Sequence, residues 1–326
     1  MAEPRIGAVL IGRNEGERLK HCLASTVPNV ARTVYVDSGS TDGSLDVART
    51  AGAGVIELDL SIPFTAARAR NAGWRALLED GELDYIQFID GDCELREGWI
   101  AAALEFLLTH PRAAVACGRR RERFPEATLY NRLCDWEWDT PTGQAKACGG
   151  DALMRVQALK DVDGFNPALI AGEEPELCVR LRQAGWQIWR LDAEMTWHDA
   201  AITRFGQWWT RARRAGHTYA EGAVMHGAPP ERHGIERLRR ALVWGAGIPA
   251  LTVIAVLLMG GWGLVPLLAY PVQIARLALR QGPPWRAALE RATFLTLAKV
   301  PESSGALAYA VRRLTGRQRA RLIEYK

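Results

Sequence analysis

The sequence predicts an α/β fold in which a mainly parallel sheet is flanked by helices. Over residues 5–110, short apolar runs alternate with helical stretches, and several runs end in polar or acidic turns. Alternation of this kind is typical of parallel sheets, which carry functional loops at the carboxyl ends of their strands. Beyond residue 220 the sequence becomes basic and then strongly apolar, which predicts a C-terminal helical region associated with a membrane.

The individual elements follow from apolar runs bounded by turn residues and from helical periodicity between them. The predicted strands are Ile6–Ile11, Thr33–Asp37, Gly54–Leu58, Tyr85–Asp90, Ala113–Cys117 and Ile188–Leu191. The predicted helices are Glu15–Ser25, Ser44–Ala51, Thr65–Asp80 and Glu174–Ala184. The segment Gly149–Leu159 opens on a glycine pair and is interpreted either as a strand or as the beginning of a helix.

The overall composition allows a packed core and excludes one class of partner. Hydrophobic residues make up 48% of the chain and charged residues 24%, so we expect a folded protein. The net charge is only +4, too small for a chain-wide nucleic-acid binder, and we expect no nucleic acid partner. Acidic residues concentrate between residues 37 and 176, whereas arginine dominates from Arg204 onward, which indicates an acidic site and a surface for an anionic membrane.

The cysteines and the N-terminus indicate the compartment. The 6 cysteines form no C-x-x-C pair, so zinc spacing is absent and we expect reduced, mostly buried thiols in a cytosolic compartment. The apolar run Ile6–Ile11 is short and is followed at once by Arg13, unlike a signal peptide. We therefore expect the catalytic part on the cytoplasmic side of the inner membrane.

Two apolar runs close together predict a hairpin over residues 241–280. Ala241–Met259 contains no charged residue, and at about 1.5 Å per residue it reaches roughly 28 Å, near the thickness of a bilayer core. The Gly260–Gly263 segment separates it from the second run, Leu264–Leu279. Arginines flank both outer ends, which favours a hairpin that enters and leaves on the cytoplasmic side. A re-entrant or in-plane hairpin, or a buried pair of soluble helices, remains an alternative.

The predicted organisation therefore has four parts, which follow one another along the chain. They are a catalytic domain over residues 1–220, a basic amphipathic linker over 221–240, the hydrophobic hairpin over 241–280 and a basic helical tail over 281–326.

The segment from Ile86 to Asp92 carries the strongest chemical signal. An apolar strand ends in Asp90 and Asp92, two carboxylates separated by one glycine. Neighbouring negative charges repel, and a hard divalent cation with oxygen ligands removes that repulsion while also neutralising a diphosphate. We interpret these acids as a metal or nucleotide site, although D-x-D also occurs in ordinary turns.

Four further groups of residues point to the same chemistry. Asp37 opens a hydroxyl-rich turn at a strand end, where α/β sheets bind nucleotides, although it could equally be part of an Asx-turn. Arg70 near a helix start can pair with diphosphate oxygens. Glu173 and Glu174 begin a helix whose dipole favours ionised carboxylates, either as a general base or as a simple acidic cap. His198 ends a strand and is a candidate metal ligand or a structural histidine.

Together these residues resemble the family 2 inverting glycosyltransferases of the GT-A fold, over roughly residues 4–220. The motifs that carry the resemblance occur in family order. They are Ile11-Gly12-Arg13-Asn14-Glu15, the Asp37 loop, Ala69-Arg70-Asn71-Ala72-Gly73, Asp90-Gly91-Asp92, Gly149-Gly150-Asp151 with Arg155, Gly164-Phe165, Gly172-Glu173-Glu174, Arg180-Leu181 and Ala184-Gly185-Trp186.

The resemblance implies a role for each matching residue. Glu15 and Asp37 would contact the donor base, and Arg70 would lie near the diphosphate. Gly150 and Asp151 would line the acceptor side. Asp92, Asp90 and His198 would bind Mn²⁺ or Mg²⁺. Asp90 would also hold the ribose or the sugar of the donor. Glu174 would take the proton from the acceptor hydroxyl, with Glu173 as the alternative base.

The implied activity is the transfer of a single sugar to an acceptor at a membrane. A UDP- or GDP-linked sugar would be the donor, and a lipid-linked or membrane-surface molecule would be the acceptor, in cell-surface glycan synthesis. Two alternatives from other classes remain. One is a nucleotidyltransferase that uses two metals and a triphosphate, and the other is a catalytically inactive membrane subunit of a polysaccharide assembly complex.

Overall fold

A computed structural model describes residues 4–316 of the chain. It divides into two units, Met1–Thr203 and Arg204–Lys326. The boundary predicted at residue 220 is therefore too late, because one helix runs without a break from Phe205 to His226 and belongs to the second unit. Residues 317–326 of the predicted basic tail lie outside the described residues.

Within the described residues, nine strands belong to the first unit. They are β1 (Ile6–Gly12), β2 (Arg32–Asp37), β3 (Gly54–Glu57), β4 (Tyr85–Asp90), β5 (Cys93–Leu95), β6 (Ala113–Glu122), β7 (Gly143–Ala145), β8 (Ala152–Arg155) and β9 (Gln187–His198).

The α-helices of the first unit are α1 (Glu17–Thr26), α2 (Ser44–Thr50), α3 (Ala66–Glu79), α4 (Trp99–Thr109), α5 (Leu129–Trp138), α6 (Val156–Asp161) and α7 (Glu173–Gln183). Those of the second unit are α8 (Phe205–His226), α9 (Ile235–Leu242), α10 (Ile248–Met259), α11 (Ala269–Gln281), α12 (Trp285–Leu297) and α13 (Lys299–Leu314).

The strands form one mixed sheet in the order β3-β2-β1-β4-β8-β6-β9-β5, with β7 paired to β9. The strands β3, β2, β1 and β4 run parallel, as predicted. The strand β8 is antiparallel to both of its neighbours, β4 and β6, and the β6–β9 pair is parallel again. The predicted α/β class is confirmed, and its parallel pairs lie in two blocks on either side of β8.

Small residues on α3 bring this helix close to the parallel strands. The side chain of Thr65 accepts a hydrogen bond from the backbone N–H of Arg68 at 3.1 Å and caps the helix. Ala67 and Ala69 are fully buried. A Cβ atom at Gly73 would lie only 2.4 Å from Cγ1 of Val9 in β1. This close approach fixes the distance between α3 and the sheet, and with it the position of Arg70 at the sheet edge.

Two strands are longer than the sequence predicts. The strand β6 continues beyond Cys117 to Glu122, and β9 continues beyond Leu191 to His198. The added parts carry charged side chains, yet Arg119 and Glu122 are buried. Arg119 pairs with Asp135 at 3.1 Å, and Glu122 accepts hydrogen bonds from the N–H groups of Phe124 and Ala200. Because charged residues occupy these buried positions, the apolar pattern that predicts strands is missing there. The ambiguous segment Gly149–Leu159 contains both predicted alternatives, β8 and then α6.

In the second unit, α8 and α13 cross with their backbones in direct contact. A Cβ atom at Gly216 would lie 1.8 Å from the carbonyl oxygen of Glu302. A Cβ atom at Gly305 would lie 1.9 Å from the carbonyl oxygen of Arg213. Because of the contacts at these two glycines, α8 belongs to the second unit, and the boundary between the units lies before it.

The predicted hairpin is present. The chain turns back after α10 at Gly260, whose φ is 60°, and continues as a 3-10 helix over Gly260–Leu268. A Cβ atom at Gly263 would lie 2.1 Å from the backbone nitrogen of Val256, so the two limbs touch. At the base, the hydroxyl of Tyr270 donates to the carbonyl oxygen of Trp244 at 2.6 Å.

The surface of this hairpin is strongly apolar. The large apolar side chains exposed around its turn are Leu257, Leu258, Met259, Trp262, Leu264 and Val265. Among the described residues, one helical stretch, Ile235–Gln281, has the length and apolarity to cross a membrane, and 6% of its most apolar window is buried. The alternative of a buried pair of soluble helices does not agree with that exposure.

Candidate active site

The carboxyl ends of β1, β2 and β4 meet at one edge of the sheet. In the strand register, Gly12 of β1 is paired with Asp37 of β2, and Ile11 of β1 is paired with Asp90 of β4. The two strand-end acids therefore flank β1 on opposite sides. This arrangement follows from parallel pairing and places both predicted residues at the functional edge.

Asp37 shapes the loop that follows β2. Its carboxylate is buried and accepts hydrogen bonds from the backbone N–H groups of Gly39 and Ser40, both at 2.8 Å. The hydroxyl of Tyr35 donates to its other oxygen at 3.1 Å. The two neighbours of Glu15 are bonded to this loop: Oδ1 of Asn14 accepts from the backbone N–H of Thr41 at 2.7 Å, and the backbone N–H of Gly16 donates to Asp42 at 3.0 Å. Asp37 thus forms the predicted Asx-type turn and orders the loop beside Glu15.

Arg70 connects the sheet edge to α7. Its guanidinium is buried and donates to Oδ1 of Asp90 at 2.7 Å and to Oε1 of Glu173 at 2.6 Å. The same group lies over the ring of Phe165, with 5.6 Å between the guanidinium carbon and the ring centroid. A strand-end acid and a helix-start acid, far apart in sequence, therefore share one cation.

A second arginine, Arg120, completes this network, and the sequence did not reveal it. Its guanidinium bonds Asp151 at 2.7 Å and Asp90 at 3.2 Å. Asp151 is fully buried, accepts a hydrogen bond from Thr196 at 2.9 Å, and accepts another from the backbone N–H of Asp90 at 3.0 Å. The resemblance implied that Asp151 would line the acceptor side. In the structure its carboxylate is enclosed by these contacts and holds Arg120 in place.

We call the five charged residues Arg70, Asp90, Arg120, Asp151 and Glu173 the charge network. Burial alone would favour the neutral acid at Asp90, but Arg70 and Arg120 outweigh it and hold the pKa of Asp90 well below its usual range. Three carboxylates stand against two guanidiniums, so the network keeps an excess of negative charge.

Gly150 lies directly against this network. A Cβ atom there would be 2.7 Å from Oδ2 of Asp90, 3.1 Å from Arg120 and 3.2 Å from Arg70. The absence of a side chain at Gly150 therefore leaves room for these charged groups.

Asp92 and His198 form a second cluster beside the charge network. Oδ1 of Asp92 lies 3.4 Å from Nε2 of His198, and both side chains are buried. Burial lowers the pKa of His198, which favours the neutral imidazole that binds metals. The buried Nδ1 of His198 has no hydrogen-bond partner, and it lies 3.7 Å from Oε2 of Glu122.

Glu122 is another residue that the sequence analysis missed. Its carboxylate is buried and accepts hydrogen bonds from the backbone N–H groups of Phe124 and Ala200 and from the side chain of Asn131. These bonds hold it in the position from which a carboxylate orients a metal-binding histidine.

Asp90 was expected to bind the metal together with Asp92, and its surroundings in the described residues differ from that expectation. Both of its oxygens are taken by Arg70 and Arg120. The possible ligand atoms of Asp92, Cys93 and His198 lie within 4.8 Å of one another. Those of Asp90 lie equally close to Cys93 and Asp151 instead. The arrangement favours Asp92 and His198 as the metal pair and leaves Asp90 in the charge network.

The acids at the start of α7 have different partners. Glu173 is bound to Arg70, and Glu176 is bound to Arg180 at 2.8 Å. Oε1 of Glu174 accepts a hydrogen bond from the backbone N–H of Cys148 at 2.7 Å. Glu174 is therefore the acid of the first turn whose charge is not matched by an arginine in these contacts, which makes it the better candidate for a general base.

Trp138, at the end of α5, lies against both clusters. Its ring is 5.5 Å from the guanidinium carbon of Arg120, and its edge contact with the His198 ring has a centroid distance of 4.7 Å. Neither α5 nor the end of β6 was predicted, so this wall of the site could not be inferred from the sequence.

Comparison with known proteins gives a family match for the first unit. Residues 8–160 match the family model for glycosyl transferase family 2. The succinoglycan biosynthesis protein ExoA of Rhizobium meliloti (strain 1021) is 27% identical over 254 residues, 73% of this chain and 75% of that protein. The pre-mycofactocin glycosyltransferase of Mycobacterium tuberculosis (strain CDC 1551 / Oshkosh) is 28% identical over 174 residues, 49% of this chain and 35% of that protein.

A solved structure extends the similarity over most of the chain. The mannosyltransferase PcManGT from Pyrobaculum calidifontis, in complex with GDP-Man and Mn²⁺, matches with a TM-score of 0.63 and 18% sequence identity. The match covers 94% of this chain and 88% of that one. The predicted GT-A fold is therefore confirmed.

The charge network predicts a large difference between two neighbouring arginines. Replacing Arg120 with methionine leaves Asp151 and Asp90 without a shared cation, which should lower the free energy of unfolding by about 3–5 kcal/mol. Arg121→Met is the matched control, because Arg121 pairs with Glu194 at the surface and is 43% exposed; its cost should be about 0–1 kcal/mol. Thermal and urea unfolding of the full chain measure both, and equal losses would contradict the structural role of Arg120.

Proposed function

The chain carries a glycosyl transferase family 2 domain at residues 8–160, and on that premise we propose that it transfers a single sugar from a UDP- or GDP-linked donor to a lipid-linked or membrane-surface acceptor. The relative ExoA is named for succinoglycan biosynthesis, which supports a role in making a cell-surface polysaccharide. The structural neighbour PcManGT holds GDP-Man and Mn²⁺, which supports a nucleotide-sugar donor and a divalent cation.

One observation carries this proposal. The guanidinium of Arg70 bonds Asp90 at the end of β4 and Glu173 at the start of α7. That bridge brings the strand-end acids of the donor side and the helix-start acids of the acceptor side to one place. A transferase needs this proximity, because its base must reach the acceptor hydroxyl while the donor is still bound.

The donor is proposed to lie along the edge formed by β1, β2 and β4. Glu15 and the loop ordered by Asp37 would meet the nucleoside base, and Asp90 would meet ribose or sugar. Because the charge network carries a net negative charge, its field alone would not stabilise the diphosphate. The cation would supply most of the positive charge, and Arg70 and Arg120 would contribute where a small rearrangement turns an N–H group toward the diphosphate. Gly150 leaves the space that the sugar needs beside these charges.

The divalent cation, Mn²⁺ or Mg²⁺, is proposed to bind between Asp92 and His198. The donor set fits, because a carboxylate and a neutral imidazole face each other and Glu122 lies behind the free imidazole nitrogen. When bound, the cation would supply positive charge to the departing diphosphate. The side chains of Asp92 and His198 would hold it, and Glu122 would orient the imidazole.

Glu174 is proposed as the general base of an inverting reaction. Its carboxylate would take the proton of the acceptor hydroxyl as that oxygen forms a bond to the anomeric carbon. The bond between that carbon and the diphosphate oxygen would break on the opposite side, which inverts the configuration. Glu173 is less suited, because its carboxylate is bound to Arg70.

The metal assignment can be tested without knowing the acceptor. A panel of UDP- and GDP-sugars should stabilise the purified chain against heat, and Mn²⁺ should increase the effect of the cognate donor. At a ligand concentration of 100 times Kd, the stabilisation should be about 2.7 kcal/mol. Asp92→Asn should lose the Mn²⁺-dependent part and keep the part caused by the nucleotide alone.

The matched control for this test is Asp46→Asn, an exposed acid on α2 that should keep the full Mn²⁺ response. An unchanged Mn²⁺ response in Asp92→Asn would remove Asp92 from the metal site. If no nucleotide stabilised the wild-type chain, the alternative of an inactive membrane subunit would be favoured.

The base is tested by replacing each acid of the pair with its amide. Glu174→Gln should lower kcat by about 10²- to 10⁴-fold, because the proton acceptor is lost, and should leave the KM of the donor little changed. Glu173→Gln should mainly weaken stability and donor binding, since it removes one partner of Arg70. Steady-state kinetics separate the two, and the reverse pattern would make Glu173 the base.

The hairpin is proposed to insert into the membrane that holds the acceptor. Its tip exposes Leu257 and Leu258, each 79% exposed, to the surroundings. Arginines precede α10 on α9 and follow the hairpin at Arg280, where they would meet anionic headgroups on the cytoplasmic side. The apolar run Ala241–Met259 is helical throughout, from the end of α9 through the π-helical segment Val243–Gly247 to α10. At about 1.5 Å per residue it reaches roughly 28 Å, close to a bilayer core of ~30 Å, which allows a spanning as well as a re-entrant hairpin.

Membrane insertion predicts a sharp effect of charge at the hairpin tip. The double change Leu257→Asp and Leu258→Asp should abolish flotation of the chain with vesicles that contain phosphatidylglycerol, because carboxylates at this depth are costly. Leu108→Asp is the control, since Leu108 is an exposed leucine of the catalytic unit; that variant should float like the wild type. Flotation of the double variant would contradict insertion of the tip.

A further inference from the structure

Two cysteines meet beside the proposed base. Sγ of Cys148 lies 3.7 Å from Sγ of Cys178, within hydrogen-bond contact, and we call these two residues the thiol pair. All six cysteines fall among the described residues, and none of them is in a disulfide bond. Five of them are buried, and Cys148 is the one that is partly exposed. The thiol pair therefore joins one accessible sulfur to one sulfur enclosed by the fold.

Both members of the thiol pair contact Glu174. The backbone N–H of Cys148 donates to Oε1 of Glu174 at 2.7 Å. The thiol of Cys178 approaches the same oxygen at 3.7 Å. The sulfur, nitrogen and oxygen atoms thus form one compact group, and any change in the bonding of the two sulfurs acts directly on the carboxylate.

The backbone around the thiol pair allows the sulfurs to come closer. Cys178 is held inside α7, whereas Cys148 lies between β7 and β8, in neither a helix nor a strand. It is followed by Gly149, whose φ is 85°. A disulfide bond is about 2.05 Å long, so the sulfurs need to close by roughly 1.7 Å. A side-chain rotation and a small shift of the segment at Cys148 supply this movement.

The resting state of the pair is a dithiol. The hydrogen bond with Cys178, together with burial, holds the pKa of Cys148 well above its ordinary range. The reduced Cys148 thiol is therefore mostly protonated at neutral pH, and its reaction with an oxidant proceeds through the small thiolate fraction.

We propose that Cys148 and Cys178 are an oxidation site that forms a reversible disulfide and thereby switches off the transfer reaction. The oxidant class is a peroxide. Cys148 gives up its proton, its thiolate attacks one oxygen of hydrogen peroxide and the O–O bond breaks. The departing hydroxide takes that proton, so a sulfenic acid and one water form. The sulfur of Cys178 then attacks the sulfenic sulfur, its proton leaves with the hydroxyl as a second water, and the two-electron oxidation is complete. A dithiol reductant reverses the bond by exchange.

The consequence for activity rests on the proposed function, in which Glu174 is the base. In the disulfide, Cys178 has no S–H group to direct at Glu174. The closing sulfurs also displace the Cys148 segment, and with it the backbone N–H that donates to Oε1 of Glu174. The carboxylate loses its contact with the Cys178 S–H group and its hydrogen bond to Cys148 is distorted, so the oxidised chain should transfer sugar at least tenfold more slowly.

The test begins with hydrogen peroxide and the purified full chain. After oxidation, thiol titration should show the loss of two thiols, and mass spectrometry of a digest should show the Cys148 and Cys178 peptides linked. Transfer activity should fall at least tenfold and return after dithiothreitol. Each variant is compared with its own reduced form, so differences in basal activity do not enter.

Two variants make the test specific. Cys148→Ser should keep its activity through oxidation, because the accessible partner is missing. Cys134→Ser is the control, a buried cysteine of α5, and should cross-link and lose activity like the wild type. Absence of the linked peptide, or equal loss of activity in Cys148→Ser, would overturn the proposal. The linked peptide is read without any donor, so failure of the proposed function and failure of this inference are distinguishable.

Discussion

The whole site depends on neutralising buried acids with two guanidiniums. Asp90 ends β4, Asp151 directly precedes the neighbouring strand β8, and Glu173 begins α7. Without Arg70 and Arg120 these carboxylates would repel one another in a poorly hydrated setting. With them, the ion pairs hold the strand ends, α3 and α7 in fixed relative positions. The net negative charge that remains on the network would attract the proposed divalent cation.

The sequence predicted the parts of the site that lie at the ends of apolar strands. The strand β4 and its terminal Asp90 were predicted with the correct bounds, because a run of apolar residues that stops at an acid is visible in one dimension. Arg120 and Glu122 were missed because three successive arginines follow Cys117 and resemble a solvated surface. Their burial becomes understandable only when Asp151 and His198, which are distant in sequence, supply their partners.

Composition also misplaced the boundary between the two units. A change from mixed to basic and apolar residues suggested an end near residue 220, yet the contacts of Gly216 with α13 assign the whole of α8 to the second unit. Close backbone packing at glycine leaves no signal in hydrophobicity, so such a boundary depends on tertiary contacts. The hairpin was predicted well because its signal, a long uncharged run broken by glycine, is local.

Trp138 has a consequence for how the two halves of the site communicate. The same indole contacts Arg120 in the charge network and His198 in the metal pair. A shared wall couples two binding events whenever one ligand shifts it, and such coupling is reciprocal by thermodynamic necessity. If the proposed cation raises the affinity for the proposed nucleotide donor by some factor, the nucleotide raises the affinity for the cation by the same factor. Neither ligand then has a single affinity that is independent of the other.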